Sequence, residues 1–391
     1  MKVLITGAHF TPAQAVIEEL LKVSGSPIGV GDDERQVEIV YVGRKTTREG
    51  DRSLSVESQV LPKMGVKFIP ITAGRIRRYI SIGTFISLFK IPIGFVQAFL
   101  ILLKEQPDVV VSFGGYVAVP LVFNAWLLNI PVIIHEQTLV SGLANTFSAL
   151  FADKIAVSFE QGYSFNKSKT FVTGNPMRKK IIEPVSRGSK EIEEIIAESV
   201  KQKKPLMLVT GGNQGSHIIN EVVKDALDVL VKKYVVVHQT GDSKFNDYEH
   251  LKQDSEQVGM TSGDGMTNNY LVMKWISEED MGRIYSVADF VVSRCGANTL
   301  LELAYHQIPT VMIPLPSVTK DEQTKNAKFF SAKGLGVVLP QKNLSVESLL
   351  EKITLVNTTQ AKNDAKEAKN VVILGAEKKL AQEILLLEYK S

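Results

Sequence analysis

The sequence predicts an α/β protein made of two doubly wound, Rossmann-like domains that face each other across an interdomain cleft. Three observations carry this expectation. Short runs rich in Val and Ile alternate with helical patterns, which is how parallel strands buried on both faces read. The alternation occurs twice along the chain. The 391 residues also exceed what a single hydrophobic core accommodates, so two domains of ordinary size are expected.

In the first half the candidate strands are KVLITG, EIVYVGR, VKFIPI, DVVVSFGG, PVIIHEQ, KIAVSF and KTFVTG, ending near Gly174. In the second half they are PLMLVTGG, YVVVHQTG, YLVMKWI, ADFVVSRCG, PTVMIPL and GVVLP. Between the two series, residues 178–204 are charged and lack strand character, which suits a linker plus a surface helix. The N-terminal domain is therefore placed at 1–177 and the C-terminal domain at 205–356. Residues 357–391 form a helical segment able to pack back on either domain, the N-terminal one included. Polar stretches near 24–36 and 254–269 read as surface loops.

Composition narrows the function. With 44% apolar and 22% charged residues the chain is that of a soluble globular protein, and a net charge of +3 gives no general affinity for nucleic acid. Cys295 is the only cysteine, so an intrachain disulfide and thiol-based metal sites are excluded, and a reducing, cytoplasmic setting fits. The start of the chain enters a strand at once, without signal-peptide character. The apolar run at 91–103 is shorter than a membrane span and contains Pro92 and Gln97, so it reads as packed or interfacial.

Ligands of doubly wound sheets bind at the carboxyl ends of the strands, so chemistry is sought in those loops. In ITGAHFTPAQAV, Gly7 lacks the companion glycines of a dinucleotide fingerprint, and the second strand ends in Gly43 and Arg44 where an acid would hold a ribose. A nicotinamide or flavin is therefore disfavoured. Pro12 in the first helical turn leaves amides for an anion, and His9 beside them can take a proton from a hydroxyl; a helix-capping loop histidine is the structural alternative. Gly114 and Gly115, before Tyr116, and the GGNQG loop at 211–215 allow close backbone approach to phosphate, and each alone is equally a tight turn. Arg178 in GNPMRKK is a planar donor suited to phosphate, or a solvated surface charge. In SRCGANTLLELAYHQIP, Glu302 can accept from the two hydroxyls of a ribose, and Asp321, Glu322, Gln323 and Asn326 can meet sugar hydroxyls; dipole-stabilising helix charges are the alternative. The histidines show no metal-ligand spacing.

The ordered set TGAHFTPAQA, SFGGYVAVP, HEQTLVSGLAN, GNPMR, TGGNQGS, HQTG and SRCGANTLLELAYHQIPTVMIPLP followed by DEQTKNA resembles the GT-B glycosyltransferases that make lipid II in bacterial cell-wall synthesis. The resemblance runs from Lys2 to about Leu339. It implies transfer of N-acetylglucosamine from UDP-GlcNAc to an undecaprenyl-diphosphate-linked muramoyl peptide, by inverting displacement, with no metal or other cofactor and with domain closure over the donor. The residues it implies for UDP-GlcNAc are Thr6, Gly7, Ala8, Thr138, Arg178, Asn213, Ile276, Ala297, Asn298, Thr299, Leu300, Leu301, Glu302, Glu322 and Gln323. Those implied for the acceptor diphosphate are Gly7, His9, Gly114, Gly115 and Tyr116, with His9 as the base. The chain departs from the family pattern at Ala8, Thr138, Asn213 and Cys295.

A lipid-linked acceptor requires a membrane-facing surface, on the cytoplasmic face of the plasma membrane for a peripheral enzyme and its cell-wall synthesis partners. The stretch at 73–95 supplies a candidate: Arg75, Arg77 and Arg78 stand beside Ile76, Tyr79, Ile80, Phe85 and Phe89, a mixture suited to an anionic lipid surface. A core helix with a solvated basic end is the alternative. The rival functions are a UDP-GlcNAc epimerase of the same fold and a catalytically silent sugar-nucleotide-binding protein.

Overall fold

The computed structural model describes all residues except 26–35, 47–53, 73, 75–81, 213–214, 243–244, 258–265, 268, 317–320 and 388–391; of 24–25, 82–89, 255–257 and 266–267 it describes the backbone alone. The chain divides into two compact units, Met1–Arg178 with Ile373–Ser391 (unit 1) and Lys179–Val372 (unit 2).

Unit 1 holds β1 (Lys2–Thr6), β2 (Glu38–Gly43), β3 (Lys67–Pro70), β4 (Val109–Ser112), β5 (Val132–Glu136), β6 (Lys154–Val157) and β7 (Thr170–Val172). They form one parallel sheet in the order β3-β2-β1-β4-β5-β6-β7. The strands are near-continuous apolar runs because both faces are covered, by one cluster around Ile5, Ile17 and Tyr41 and another around Leu4, Leu121 and Ile134. Thr6 is level with Val42 of β2 and Ser112 of β4, so the loops after these three strands emerge side by side where the strand order reverses.

Unit 2 holds β8 (Leu206–Thr210), β9 (Val235–Gln239), β10 (Met266–Thr267), β11 (Tyr270–Met273), β12 (Phe290–Ser293), β13 (Thr310–Met312) and β14 (Gly336–Val338). Their order is β10-β11-β9-β8-β12-β13-β14, parallel except for β10 against β11. Ser293 is level with Thr210, so the loops after β8 and β12 are neighbours at the second reversal of order.

Several boundaries differ from those the sequence predicts. The stretch 178–204 is not a separate linker: helix Lys190–Gln202 belongs to unit 2 and buries Ile192, Ile195 and Ile196. Its charged outer face conceals an apolar stripe spaced three and four residues apart, as a one-sided helix requires. The C-terminal segment divides at 372. Helix Thr359–Ala368 stays with unit 2, whereas helix Ala376–Leu385 packs Leu380, Ala381 and Ile384 into the unit 1 core. The polar stretch near 254–269 contains the end of helix Asp247–Gln257 and the two residues of β10. Most of the 24–36 stretch lies outside the described residues.

Residues 91–103 fall in the helix Ile82–Glu105, with Pro92 inside it. No described helix is long and apolar enough to cross a membrane.

Because Ile195 is 1% exposed within helix Lys190–Gln202, Ile195→Ala will lower unfolding stability by about 2–4 kcal/mol in a denaturant titration. A change near zero is what a loose linker helix would give.

Candidate functional site: two sets of loops at strand ends

In unit 1 the loop after β1 is built by close backbone packing. Phe113 N donates to Thr6 O at 2.8 Å and Ala8 N to Gly114 O at 2.9 Å, tying the loop after β1 to the loop after β4. Gly7 has φ +144°, and a Cβ there would stand 2.8 Å from the Phe113 carbonyl carbon. Gly115 has φ +82°, and its Cβ would stand 2.4 Å from the Ala8 methyl. The methyl that distinguishes Ala8 from the family pattern is thus accommodated by the bare face of Gly115. Tyr41 donates from below to Gly7 O at 3.1 Å. His9, partly buried, precedes the helix Phe10–Gly25. Burial lowers its pKa from the ordinary histidine value, against the opposing pull of Glu136 and with added lowering by Arg44.

The carboxylate of Glu136, at the end of β5, is held on both oxygens. Oε1 accepts from Thr138 N (3.1 Å) and Thr138 Oγ1 (2.9 Å), and Oε2 from Gly142 N and Asn145 Nδ2 (3.0 Å each). Thr138 is buried, and its hydroxyl hydrogen points inward to Glu136 and the Val140 carbonyl, so it shapes the loop. Next to it His135 places Nε2 3.2 Å from Gly174 O, and burial pushes its pKa down to about 4, so the ring is neutral. Thr6 Oγ1, His135 Nδ1 and Asn145 Oδ1 are buried at this edge without hydrogen-bond partners among the described residues. Tyr116 follows Gly115, and Arg178 ends the first stretch of unit 1, partly buried.

In unit 2 the GGNQG loop opens the helix His217–Lys233. Gly215 has φ +70°, and a Cβ there would meet Thr240 O at 1.9 Å, so Gly215 lies against the HQTG turn. Gly212 N donates to Thr210 Oγ1 at 3.1 Å. Asn213 lies outside the described residues. After β12, Gly296 caps the helix Ala297–Tyr305, which brings Ala297, Asn298, Thr299, Leu300 and Leu301 to its amino end, with Glu302 buried. Glu322 and Gln323 open the helix Glu322–Ala332. Gln323 Oε1 accepts from Cys295 N (3.3 Å) and Leu315 N (2.9 Å), so its carbonyl binds this protein's backbone and its amide hydrogens are what it can offer a ligand. Ile276 stands half-buried in the turn between β11 and the helix Glu278–Tyr285. Burial pushes the Cys295 thiol up, which keeps it unreactive.

The structure thus gathers the residues implied for the acceptor at one edge of unit 1. Those implied for the donor divide: Thr6, Gly7, Ala8, Thr138 and Arg178 are in unit 1, and the other described ones in unit 2. Of the residues implied for the membrane, Arg75, Ile76, Arg77, Arg78, Tyr79 and Ile80 lie outside the described residues, and the side chains of Phe85 and Phe89 do as well.

Two features are not visible in the sequence. Arg294 is buried between the loops after β8 and β12, donating to Ser216 Oγ (2.6 Å), Gln341 Oε1 (2.7 Å) and Ile313 O (3.2 Å). Among the described residues no carboxylate forms an ion pair with it. His217, Glu221 and Asp247 bring ligand-type atoms within 4.8 Å of one another, a grouping in space that the sequence spacing of the histidines does not show. Here His217 Nδ1 lies 2.7 Å from Asp247 Oδ1, while Asn220 Nδ2 donates to the other carboxylate oxygen at 2.8 Å and Asn220 Oδ1 accepts from His238 Nε2 at 3.1 Å. Only a fold brings residue 247 to the start of the helix at 217.

Gly115→Ala should cost about 1–3 kcal/mol in denaturant unfolding from its left-handed backbone alone, with the Ala8 contact adding to it. Adding Ala8→Gly should recover the contact part only; no loss in the single variant would contradict the packing described.

Known protein families match both parts of the chain. The glycosyltransferase family 28 N-terminal domain matches residues 52–157, and the family 28 C-terminal domain matches residues 206–384. A Clostridium botulinum protein named UDP-N-acetylglucosamine--N-acetylmuramyl-(pentapeptide) pyrophosphoryl-undecaprenol N-acetylglucosamine transferase is 32% identical over 358 residues, 90% of each chain. A Bacillus cereus transferase of the same name, numbered 2, is 30% identical over 95% of this chain and 98% of its own. The crystal structure of Acinetobacter baumannii MurG shares the fold, with a TM-score of 0.68 at 24% identity over 98% of this chain and 99% of that one. The chain therefore belongs to the N-acetylmuramyl-(pentapeptide) pyrophosphoryl-undecaprenol N-acetylglucosamine transferase family, within glycosyltransferase family 28.

Proposed function

We propose that the protein transfers N-acetylglucosamine from UDP-GlcNAc to the 4-hydroxyl of the undecaprenyl-diphosphate-linked N-acetylmuramoyl peptide, turning lipid I into lipid II. The supporting observation is the presence of two glycine-lined strand-end loops, one on each sheet. Both substrates of this reaction carry a diphosphate, whereas a UDP-GlcNAc epimerase or a silent sugar-nucleotide binder has one diphosphate to hold. Incubation with UDP-GlcNAc and lipid I should give lipid II and UDP. Epimerised sugar from UDP-GlcNAc alone, or donor binding without transfer, would favour the rivals.

In this reading the muramoyl 4-hydroxyl oxygen bonds to the anomeric carbon as the bond from that carbon to the UDP oxygen breaks, with inversion. The hydroxyl proton passes to His9, and UDP leaves. Amides of the GGNQG loop and of the Ala297–Tyr305 helix, together with Arg178, stabilise the departing diphosphate. Glu302 holds the ribose, Ile276 the uracil, and Glu322 and Gln323 the donor sugar. Charge stabilisation by these groups makes the transfer independent of a metal ion, so a chelator should leave the rate unchanged.

His9 accepts a proton only when neutral, and its lowered pKa keeps it so at neutral pH. The rate should therefore fall on acidification, with the midpoint below the ordinary histidine range. His9→Ala should remove that acid limb and cut kcat about 10²–10⁴-fold while UDP affinity stays unchanged. An unaltered kcat would remove the base assignment.

For membrane attachment the support is an exposed apolar surface on successive helices of unit 1. Val96 and Leu100 of helix Ile82–Glu105, Trp126 and Leu127 of helix Ala118–Leu127, Phe147 of helix Leu143–Ser148 and Leu150 just after it are all exposed. Together with the basic 75–78 stretch they suit peripheral attachment to an anionic bilayer, on the cytoplasmic face where the acceptor's headgroup would be reached. Replacing Trp126 and Leu150 by glutamine should weaken binding to phosphatidylglycerol vesicles about tenfold or more. Unchanged vesicle binding would contradict attachment through this surface.

A further inference from the structure

We propose that Arg44 is a ligand of the acceptor's diphosphate, its guanidinium reaching from the end of β2 over the Gly7–His9 loop to supply a fixed positive charge beside the glycine amides. The proposal rests on unit 1 being the acceptor half.

The topology places the group. Arg44 directly follows β2, and β1 stands between β2 and β4. Neighbouring strands are about 4.8 Å apart, so β2 and β4 are separated by roughly 10 Å. The Arg44 guanidinium carbon nevertheless lies 5.9 Å from the ring centre of Tyr116, which follows Gly115 in the loop after β4. A side chain rooted beside β2 and a ring rooted beyond β4 therefore approach each other across the position of β1, the strand between them, which Gly7, Ala8 and His9 follow. Its backbone is fixed at the root: Ser55 Oγ donates to Arg44 O at 2.7 Å, and Ile71 N to Gly43 O at 2.9 Å.

The chemistry fits a diphosphate. A guanidinium over an aromatic face keeps its edge donors in the plane of the group, where two phosphate oxygens can be met bidentately. Loop amides carry only partial charges, and a diphosphate calls for a full one. A cation at this position also lowers the pKa of His9, so one residue would bind the substrate and keep the base ready. The structural alternative is that Arg44 serves to neutralise Glu57, a buried carboxylate whose pKa its charge lowers.

The two roles separate by measurement on the full-length protein. The readouts are the acceptor and donor KM, and the inhibition constants of a short prenyl diphosphate and prenyl monophosphate competing with the acceptor. Arg44→Gln should raise the acceptor KM about 10–100-fold and collapse the preference for diphosphate over monophosphate, with donor KM and UDP affinity unchanged. Arg44→Lys, which keeps the charge and loses the fork, should fall between. An unchanged diphosphate preference in Arg44→Gln, or equal weakening toward both prenyl phosphates, would overturn the proposal. If Arg44→Gln loses UDP affinity through misfolding, the same inhibition ratio in Arg44→Lys decides. Wild-type protein that glycosylates no lipid acceptor would count against the transferase function, whereas active wild type with an unmoved ratio would count against Arg44 alone.

Discussion

The structure depends on close backbone approach at the carboxyl ends of the strands where each sheet reverses its order. At Gly7, Gly115 and Gly215 a Cβ would lie within 2.8 Å of a neighbouring atom, and all three have positive φ. Glycine alone meets both demands without strain. The level ends of β1, β2 and β4 bring one pair of loops together, and the level ends of β8 and β12 do so for the other. The loop that carries His9 is hung on the Gly7 and Gly115 contacts, and the start of the helix His217–Lys233 on that of Gly215.

Buried polar groups then hold the loops in place. Glu136 is a charge taken out of water, and four donors on its two oxygens offset that cost. Arg294 is held by neutral acceptors and keeps its positive charge next to the loops proposed for the donor diphosphate. Such a charge is costly to bury without an anion, and an anionic ligand at that edge would relieve the cost. Gln323 spends its carbonyl on Cys295 and Leu315, which fixes which end of its amide faces outward. His135 and His238, with pKa values pushed down to about 4 and about 3, act as neutral hydrogen-bonding groups.

Much of the fold was legible because buried parallel strands are written as runs such as Val109–Val110–Val111, which no turn or exposed helix tolerates. All the strands expected from such runs are present, and β10 was missed because two polar-flanked residues carry no periodicity. The helix Lys190–Gln202 was expected as a surface helix beside a linker; its place in unit 2, set by the burial of Ile192, Ile195 and Ile196, was not read from the sequence. The C-terminal segment was ambiguous because its destination is set by packing of Leu380 and Ile384 against unit 1, which sequence pattern does not specify. At the site, the glycines and His9 stand out in the sequence as candidates, with a tight turn or a helix cap as the alternative, and only the fold shows the positive φ and close contacts of the glycines. Arg294 and Arg44 do not stand out: each follows a strand, and only the order of the strands shows what it reaches.

The central claim is a division of labour, with the nucleotide held by the strand-end loops of unit 2, aided by Arg178, and the lipid diphosphate by those of unit 1. Hydrogen exchange on the full-length protein with and without saturating UDP tests it most directly. The account predicts that UDP slows exchange at residues 211–216 and 296–302 and leaves 113–117 as in the free protein. Protection confined to residues 7–10 and 113–117, with 211–216 and 296–302 unchanged, would contradict it.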